Sequence, residues 1–194
     1  MKKYIVCIVF ILIGFRSQGQ ISRQDVLPLF SHLGKEEFKQ SYQLADKLLR
    51  KFDADTTHLM GIVRYALLYS GASLIAKDEL TYKALRQDVK RVKGRFILMT
   101  GHPTTSDSTQ KAYNTNTLRY ENGKVKGATI TTSKGNTAIY FFEYFDFKDV
   151  FDIASVAQSN TRCGGILNEI EFNPNQSNIW IMRLHIREAV LTRL

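Results

Sequence analysis

The hydrophobic period of this chain changes near Gly94. Before this residue, apolar side chains recur at steps of three and four, the period of an α-helix with one buried face. After it, short runs alternate apolar and polar side chains, as β-strands do, between turn residues. The sequence therefore predicts an α+β protein, with antiparallel helical hairpins over residues 20–93. A small antiparallel, barrel-like β domain with one short helix is predicted over residues 94–194.

Three longer helices are predicted in the first half. Residues 35–52 carry one apolar face, and residues 57–76 are apolar over most of their circumference, so we expect the second helix to lie in the middle of the packing. A third helix is predicted over residues 78–92. Its last turns are basic, which complements the negative end of a helix dipole; these side chains are Lys83, Arg86, Lys90, Arg91 and Lys93.

One stretch of the helical half resembles a tetratricopeptide-like array. It is the run Tyr65-Ala66-Leu67-Leu68-Tyr69-Ser70-Gly71-Ala72, in which small residues allow neighbouring helices to approach closely. The resemblance implies stacked helical hairpins that offer an interaction surface. A generic helical bundle explains the same pattern.

Six strands are predicted in the second half. They cover residues 94–99, 118–121, 124–132, 137–147, 162–172 and 179–186. Gly101-His102-Pro103 is expected to end the first strand, and the polar residues 104–117 to form a surface loop. A short helix is predicted over residues 148–158.

This order of elements resembles an OB-fold, a five-stranded barrel whose helix lies between its third and fourth strands. The resemblance is carried by the segments Val150-Phe151-Asp152, Cys163-Gly164-Gly165-Ile166-Leu167 and Ile179-Trp180-Ile181-Met182-Arg183-Leu184. It implies a surface of the kind that binds oligonucleotides or oligosaccharides. Six predicted strands instead of five leave another small α+β sheet as the competing interpretation.

The first 19 residues have the order of a secretory signal peptide. Lys2-Lys3 precedes an uncharged apolar run at residues 4–15, and Ser17 and Gly19 place small side chains before a cut at Gln20. As a helix the run is about 18 Å long, too short for the roughly 30 Å hydrocarbon core. We therefore expect a periplasmic or secreted protein, cleaved near Gly19, with no stable membrane anchor.

The titratable residues match no known catalytic or metal-binding motif. The four histidines, His32, His58, His102 and His185, have no metal-ligand spacing, and Cys163 alone remains after cleavage. No phosphate-binding loop or nucleophile elbow is present. We therefore expect no cofactor, no metal site and no evident catalysis. Glu143 lies among aromatic residues and is expected to face solvent on an edge strand.

The strand over residues 137–147 is the candidate binding element because it is rich in aromatic side chains. Lysine and arginine side chains flank this strand, and the chain's net charge of +9 favours anionic partners. The candidate ligand-binding residues are Tyr140, Phe142, Tyr144, Lys124, Lys126, Arg183 and Arg187. The expected function is that of an exported soluble interaction or ligand-binding module in the bacterial envelope, with an envelope protein or an anionic ligand as partner.

Two other functions remain open from the sequence. An envelope hydrolase requires two carboxylates, or a histidine and a carboxylate, that converge in a cleft. An OB-type surface with aromatic and basic side chains also suits single-stranded nucleic acid. Export from the cytoplasm makes nucleic acid the less favoured partner.

Overall fold

A computed structural model describes residues 19–106, 112–135, 137–177 and 179–194 of this chain. In these residues the helices come first and a six-stranded sheet follows, so the predicted α+β class is confirmed. Of the predicted signal peptide, residues 1–18 lie outside the described part of the chain, as do residues 107–111 of the predicted surface loop.

The four N-terminal helices are α1 (Arg23–Gly34), α2 (Phe38–Lys51), α3 (His58–Ala76) and α4 (Tyr82–Val89). α1 begins with a capping box, in which Ser22 and Asp25 satisfy each other's backbone N–H groups. α4 begins at Thr81, whose side chain accepts a hydrogen bond from the N–H of Ala84. α2 and α3 agree closely with the predicted helices, whereas α4 is shorter than predicted at both ends.

α3 is the central helix of the molecule, as its apolar circumference predicted. Most of its residues are buried, and it packs against α1, α2, α4 and the sheet. Its length and composition would suffice to cross a membrane, but 78% of its apolar window is buried inside the fold. Arg64 is buried within it and donates hydrogen bonds to the carbonyl oxygens of Phe96, at 3.1 Å, and Asp55, at 2.8 Å. These bonds tie the helix to the first strand.

The six strands close on themselves in the order β1-β2-β3-β4-β6-β5, with β5 paired to β1. We call this circuit the closed sheet. A short helix, α5 (Ile153–Val156), lies between the fourth and fifth strands, inside the longer predicted helix. The strands are β1 (Phe96–Thr105), β2 (Asn116–Glu121), β3 (Lys124–Thr132), β4 (Ile139–Phe147), β5 (Asn160–Phe172) and β6 (Trp180–Arg193).

Two features of the sheet differ from the sequence prediction. The β1–β2 and β4–β6 pairs are parallel, so the expected antiparallel pairing is wrong for these two. In addition, β1 does not end at Gly101-His102-Pro103 but continues to Thr105. An irregularity between Leu98 and Gly101 shifts the register, after which Pro103 pairs with Asn160 of β5. A bulge of this kind lets a strand pass through residues that normally end one.

The helices and the closed sheet share one hydrophobic core. α3 supplies Met60, Val63 and Leu67, and the sheet supplies Phe141 and Phe145, among many others. Where α3 and the closed sheet pack together, water is excluded from both surfaces. The junction between α3 and the sheet is therefore part of the core, and the candidate site lies where this junction opens to solvent.

A cleft between the helices and the closed sheet

A cleft of about 590 Å³ lies at the junction of the helices and the closed sheet. The end of α1, the start of α2 and the middle of α3 form one side, and β1, β3 and the segment before β2 form the other. Most of its polar lining side chains come from the sheet side: Thr100, His102, Asn114, Thr131, Thr132, Ser133 and Lys134. The helical side adds Glu36.

Aromatic rings form the helical wall of the cleft. Tyr65 and Tyr69 stand one turn apart on α3, and Phe38 begins α2. The Tyr69 ring meets Phe38 at 6.0 Å and Tyr140 of β4 at 5.2 Å between ring centroids. The first contact is tilted and the second is edge-to-face, and contacts of this kind fix the ring positions. The packed rings therefore hold the wall in place. Burial also raises the pKa of Tyr69 to about 12, so its hydroxyl stays protonated.

Glu143 of β4 lies fully buried behind this wall, which corrects the prediction that it faces solvent. β4 is not an edge strand, because it pairs with both β3 and β6. The charge of Glu143 contributes to raising the pKa of Cys163, which lies on β5. In the strand order of the closed sheet, β5 is two strands away from β4. A side chain on β5 approaches β4 only across the inside of the closed sheet, so the carboxyl group points inward.

Burial raises the pKa of Glu143 to about 8, while the neighbouring hydroxyls of Thr131 and Tyr65 offset part of the rise. The Thr131 hydroxyl donates to Oε2 at 2.6 Å. Within the described residues, Oε1 and the buried Tyr65 hydroxyl form no hydrogen bond of good geometry, although the two groups are near enough for Tyr65 to lower the pKa of Glu143. At neutral pH this carboxyl group is mostly protonated, so it can both donate and accept a hydrogen bond.

His102 is a second titratable group on the cleft wall. Its Nε2 lies 3.1 Å from the Thr100 hydroxyl. Burial lowers its pKa, and interaction with the Asn114 backbone offsets part of this effect, so the imidazole is neutral at pH 7. The cleft therefore presents a neutral imidazole and, behind Tyr65 and Thr131, a mostly neutral carboxyl group.

A second set of buried polar side chains in the sheet is fully paired. Thr104 and Thr161 share a hydrogen bond of 2.7 Å, Asn116 Nδ2 donates to Thr161 Oγ1 at 3.0 Å, and the Thr129 hydroxyl donates to Asn116 Oδ1 at 2.7 Å. This network joins β1, β2, β3 and β5. Because its partners satisfy one another, this network is structural. In contrast, Tyr65 lines the cleft and has an unpaired hydroxyl, and Glu143 lies buried behind it.

Cys163 is buried inside the closed sheet, as expected for a lone cysteine. Burial raises the pKa of its thiol to about 12, so it carries no thiolate at neutral pH. Among the residues that the structure describes, no three His, Cys, Asp or Glu side chains lie close enough to hold a metal ion.

The aromatic residues predicted as a binding face do lie together on the outer side of β4, but they differ in exposure. Tyr140 is buried beneath Phe38 and Tyr69. Phe142 is half-buried against Trp180, and Tyr144 is 39% exposed and stacks on His185. Only Phe142 and Tyr144 therefore remain accessible to a partner.

The predicted basic residues around β4 are spread over several strands. Lys126 forms an ion pair with Asp146, and Arg183 lies over the Trp180 ring and 3.3 Å from Glu171. Lys124, the first residue of β3, and Arg187, on β6, are exposed. The structure thus brings Arg183 next to Phe142, its register partner, while Lys126 is already neutralised.

The cleft residues were missed because they come from distant parts of the chain. Tyr65 and Tyr69 carry a helical period and were interpreted as packing residues, and His102 was assigned to a turn. The one available signal was Glu143, a carboxyl group on the same alternating face as Phe141 and Phe145.

No protein-family model, curated protein or solved structure matches this chain.

Proposed function

We propose that this chain is an exported soluble protein of the bacterial envelope that binds a small ligand in the cleft between its helices and its closed sheet. The observation that carries this proposal is a pair of buried, unpaired polar atoms, Tyr65 Oη and Glu143 Oε1, beside a cleft of about 590 Å³. A buried polar atom without a partner is unfavourable by roughly 1–3 kcal/mol, and a ligand can recover this free energy.

The lining of the cleft indicates the chemistry of the ligand. Binding sites for small molecules combine an apolar wall with a few polar groups that fix orientation. Here Phe38, Tyr65 and Tyr69 supply the wall. His102 and Glu143 are mostly uncharged at pH 7, and the lining residues Glu36 and Lys134 carry opposite formal charges that balance. The best match is a neutral ligand that carries hydroxyl or amide groups next to an apolar face.

The expected OB-like and tetratricopeptide-like resemblances remain proposals. β1 and β2 pair in parallel only at Thr104–Asn116 and Thr105–Thr117, beside the connection between them. If β1 and β2 count as one interrupted strand, the sheet has five strands, with α5 between the third and fourth. This strand count and helix position support the OB-like interpretation.

The outer side of β4 is proposed as a second, smaller contact surface for an envelope protein. Phe142 and Tyr144 remain accessible there, next to Trp180 and Arg183. Aromatic and arginine side chains are enriched at the centres of protein interfaces. Tyr140 supports this surface from beneath the helices instead of touching a partner.

Cleft binding is tested with the purified chain and named neutral probes. The probes are N-acetylglucosamine, its linear tetramer, glucose and the dipeptide alanyl-alanine, titrated by ligand-observed NMR. At least one is expected to bind with a dissociation constant below about 1 mM, which corresponds to about −4 kcal/mol. Gly34 lines the cleft and has open space around it, so Gly34→Trp fills the entrance and is expected to abolish binding.

Two further variants make this test specific. Tyr65→Phe removes one unpaired hydroxyl without changing the shape of the wall, and a roughly 10-fold weaker affinity is expected. Asn168→Trp adds the same indole at an exposed position on β5 and should leave affinity unchanged. Absence of binding to every probe, or binding that Gly34→Trp leaves intact, would refute the proposal.

A hydrolase that uses the same cleft is the second candidate. The observation that favours it is the pair of shifted groups: Glu143, mostly protonated at neutral pH, is in the state of a general acid, and neutral His102 is in the state of a general base. Hydrolysis of p-nitrophenyl acetate or p-nitrophenyl glycosides tests this function. A reaction that Glu143→Gln and His102→Gln each slow by about 100-fold or more supports it, and equal rates in all three proteins exclude it.

A further inference from the structure

The positive charge of this chain is concentrated in one short segment. Residues 83–95 contain six Lys or Arg side chains and one Asp, a net charge of +5 out of the chain's +9. Lys2, Lys3 and Arg16 supply three more positive charges, which leaves a net of +1 for all remaining residues. A uniformly basic surface would not show this distribution. The segment runs from α4 to the start of β1, and we call it the basic segment.

Few charges of the basic segment are neutralised. Arg91 forms ion pairs with Asp46 of α2 and with Asp88, and the Arg86 guanidinium lies 4.7 Å from the centre of the Phe172 ring. No ion pair is found for Lys83, Lys90, Lys93 or Arg95 in the part of the chain that the structure describes. Four cationic side chains are therefore free to meet an anionic partner.

These side chains line two neighbouring grooves that share Lys90. One groove of about 500 Å³ lies between the end of α2 and the start of β1. Its other lining residues are five basic or apolar side chains and one acidic side chain: Leu49, Arg50, Arg91, Lys93, Arg95 and Asp53. The other, of about 380 Å³, lies beside α4 and is lined by Tyr82, Lys83, Arg86, Gln87 and Gln176 in addition. Together they form a concave basic track along one side of the helical half.

The shape and lining of the grooves favour one kind of polyanion. A flat bilayer surface does not reach the floor of a groove, and none of the exposed large apolar side chains lines either groove to enter a membrane. Among the described residues, Tyr82 is the one aromatic side chain that lines either groove, and it is buried, so it offers no exposed face for base stacking. Arginine side chains hold carboxylate, sulfate and phosphate groups with paired hydrogen bonds.

We propose that the basic segment is a second binding site, separate from the cleft, that holds an anionic polysaccharide chain. Sulfate or carboxylate groups spaced along the polysaccharide pair with Lys83, Lys90 and Lys93. Arg95 lies at the other end of the groove, beside Arg50, which is ion-paired with Asp46. The site does not depend on a ligand in the cleft.

The test uses a fluorescent heparin octasaccharide as the probe and measures its anisotropy with the full chain at 50, 100, 200 and 400 mM NaCl. Binding is expected to weaken steeply with salt, because each charge contact releases counterions. The triple variant Lys83→Gln, Lys90→Gln, Lys93→Gln is expected to bind about 10-fold more weakly at 100 mM NaCl. The slope of log affinity against log salt concentration should become shallower by about 2–3.

The matched control is the triple variant Lys35→Gln, Lys39→Gln, Lys148→Gln. It removes the same three charges from exposed positions outside the grooves. Its affinity is expected to change by less than about 2-fold. Thermal unfolding of both variants verifies that each is folded, and Gly34→Trp, which fills the cleft, should bind the octasaccharide as the wild type does.

Three outcomes would overturn the inference. The first is absence of octasaccharide binding at 50 mM NaCl, and the second is an equal loss of affinity in both triple variants, which would indicate net charge alone. The third is tighter binding to vesicles with 30% phosphatidylglycerol, or to a 20-nucleotide single-stranded DNA, lost only in the groove variant. That result would assign the grooves to a membrane or to nucleic acid.

Discussion

Glu143 is a carboxyl group that ionises near pH 4.5 in an unfolded chain and near pH 8 in this fold, because burial penalises the charged form. Between these values the native state binds more protons than the unfolded state, so the free energy of unfolding falls as pH rises. We expect a loss on the order of 3 kcal/mol between pH 5 and pH 7.5 from this group alone. Glu143→Gln, which cannot ionise, should escape this loss.

The measurement is urea unfolding of the wild type and Glu143→Gln at pH 5, 6, 7 and 8. The pKa of His102 is lowered by burial, but this residue is present in both proteins, so its contribution cancels in their difference. Tyr65, Tyr69 and Cys163, which lie near Glu143, all have raised pKa values and titrate above this range. Glu169→Gln, at an exposed position, should parallel the wild type. Parallel curves for all three proteins would contradict the prediction.

Two features of the sequence predict opposite positions for Glu143, one buried and one in solvent. Strict alternation along β4 places it on the same face as Phe141 and Phe145, which are both buried. The unfavourable burial of a carboxylate predicted a position in solvent. The structure resolves this conflict through protonation, since a neutral carboxyl group that accepts a hydrogen bond from Thr131 is far less unfavourable than a buried charge. Sequence patterns alone do not report a protonation state.

At Gly164 and Gly165, β5 lies too close to neighbouring backbone atoms for a side chain to fit. A Cβ atom on Gly164 would lie 2.8 Å from the Ile97 carbonyl oxygen, and one on Gly165 would lie 2.8 Å from that of Arg187. These contacts are with backbone atoms, which cannot rotate away. Gly164→Ala and Gly165→Ala are therefore each expected to lower the free energy of unfolding by about 2 kcal/mol or more.

Urea unfolding at pH 7 checks this expectation. Gly34→Ala is the control, because Gly34 has open space around it and ends α1. Alanine there should leave stability unchanged or raise it by up to about 1 kcal/mol. A neutral effect of both β5 substitutions would show that β5 can shift away from β1 and β6.

α2 and α4 are joined by a small polar cluster. The Tyr42 hydroxyl donates to Asp88, and Arg91 pairs with both Asp46 and Asp88. Burial and Asp88 together raise the pKa of Tyr42, so its hydroxyl remains a donor at any physiological pH. Tyr42→Phe leaves the Asp88 carboxylate with one donor fewer, and we expect a loss of about 1–2 kcal/mol.

Thermal or urea unfolding at low salt measures this loss. Tyr144→Phe is the matched control, because it removes a tyrosine hydroxyl from an exposed ring and should change stability by less than about 0.5 kcal/mol. Equal stability of Tyr42→Phe and the wild type would mean that Arg91 alone satisfies Asp88.

The elements themselves were largely predictable, because each is encoded locally. Helical periodicity located α2 and α3, and alternation located β3 to β5. β1 was cut short because Gly101 and Pro103 normally end a strand, whereas the register shift after Leu98 lets them pair with β5. The parallel pairing of β4 with β6 was not encoded locally, since it depends on how the chain returns after α5 and β5.

The cleft exists only at the scale of the whole molecule. Tyr65, His102 and Glu143 lie on α3, β1 and β4, and none of them is near another in the sequence. They meet because α3 packs across the closed sheet, with the Tyr65 ring 5.8 Å from that of Phe141. Amphipathic patterns say which face of an element is buried, but not which other element covers it. For this reason the sequence predicted a binding role without predicting this cleft.

Export is the last expectation that belongs to the whole chain. The first buried side chain of the described residues is Ile21, whose N–H donates to Asp55 Oδ2 at 2.9 Å, whereas Gly19 and Gln20 are exposed. A protease that cuts after Gly19 would therefore leave Ile21 and its hydrogen bond to Asp55 in place. Expression in a Gram-negative cell, fractionation and N-terminal sequencing should yield a mature chain that starts at Gln20 in the periplasmic or secreted fraction.

Gly19→Leu, which places a large side chain before the cut, should cause uncleaved precursor to accumulate, whereas Gln24→Leu, at an exposed position in α1, should not. An intact Met1 on a cytosolic protein would contradict the location and remove envelope polysaccharides from the set of partners.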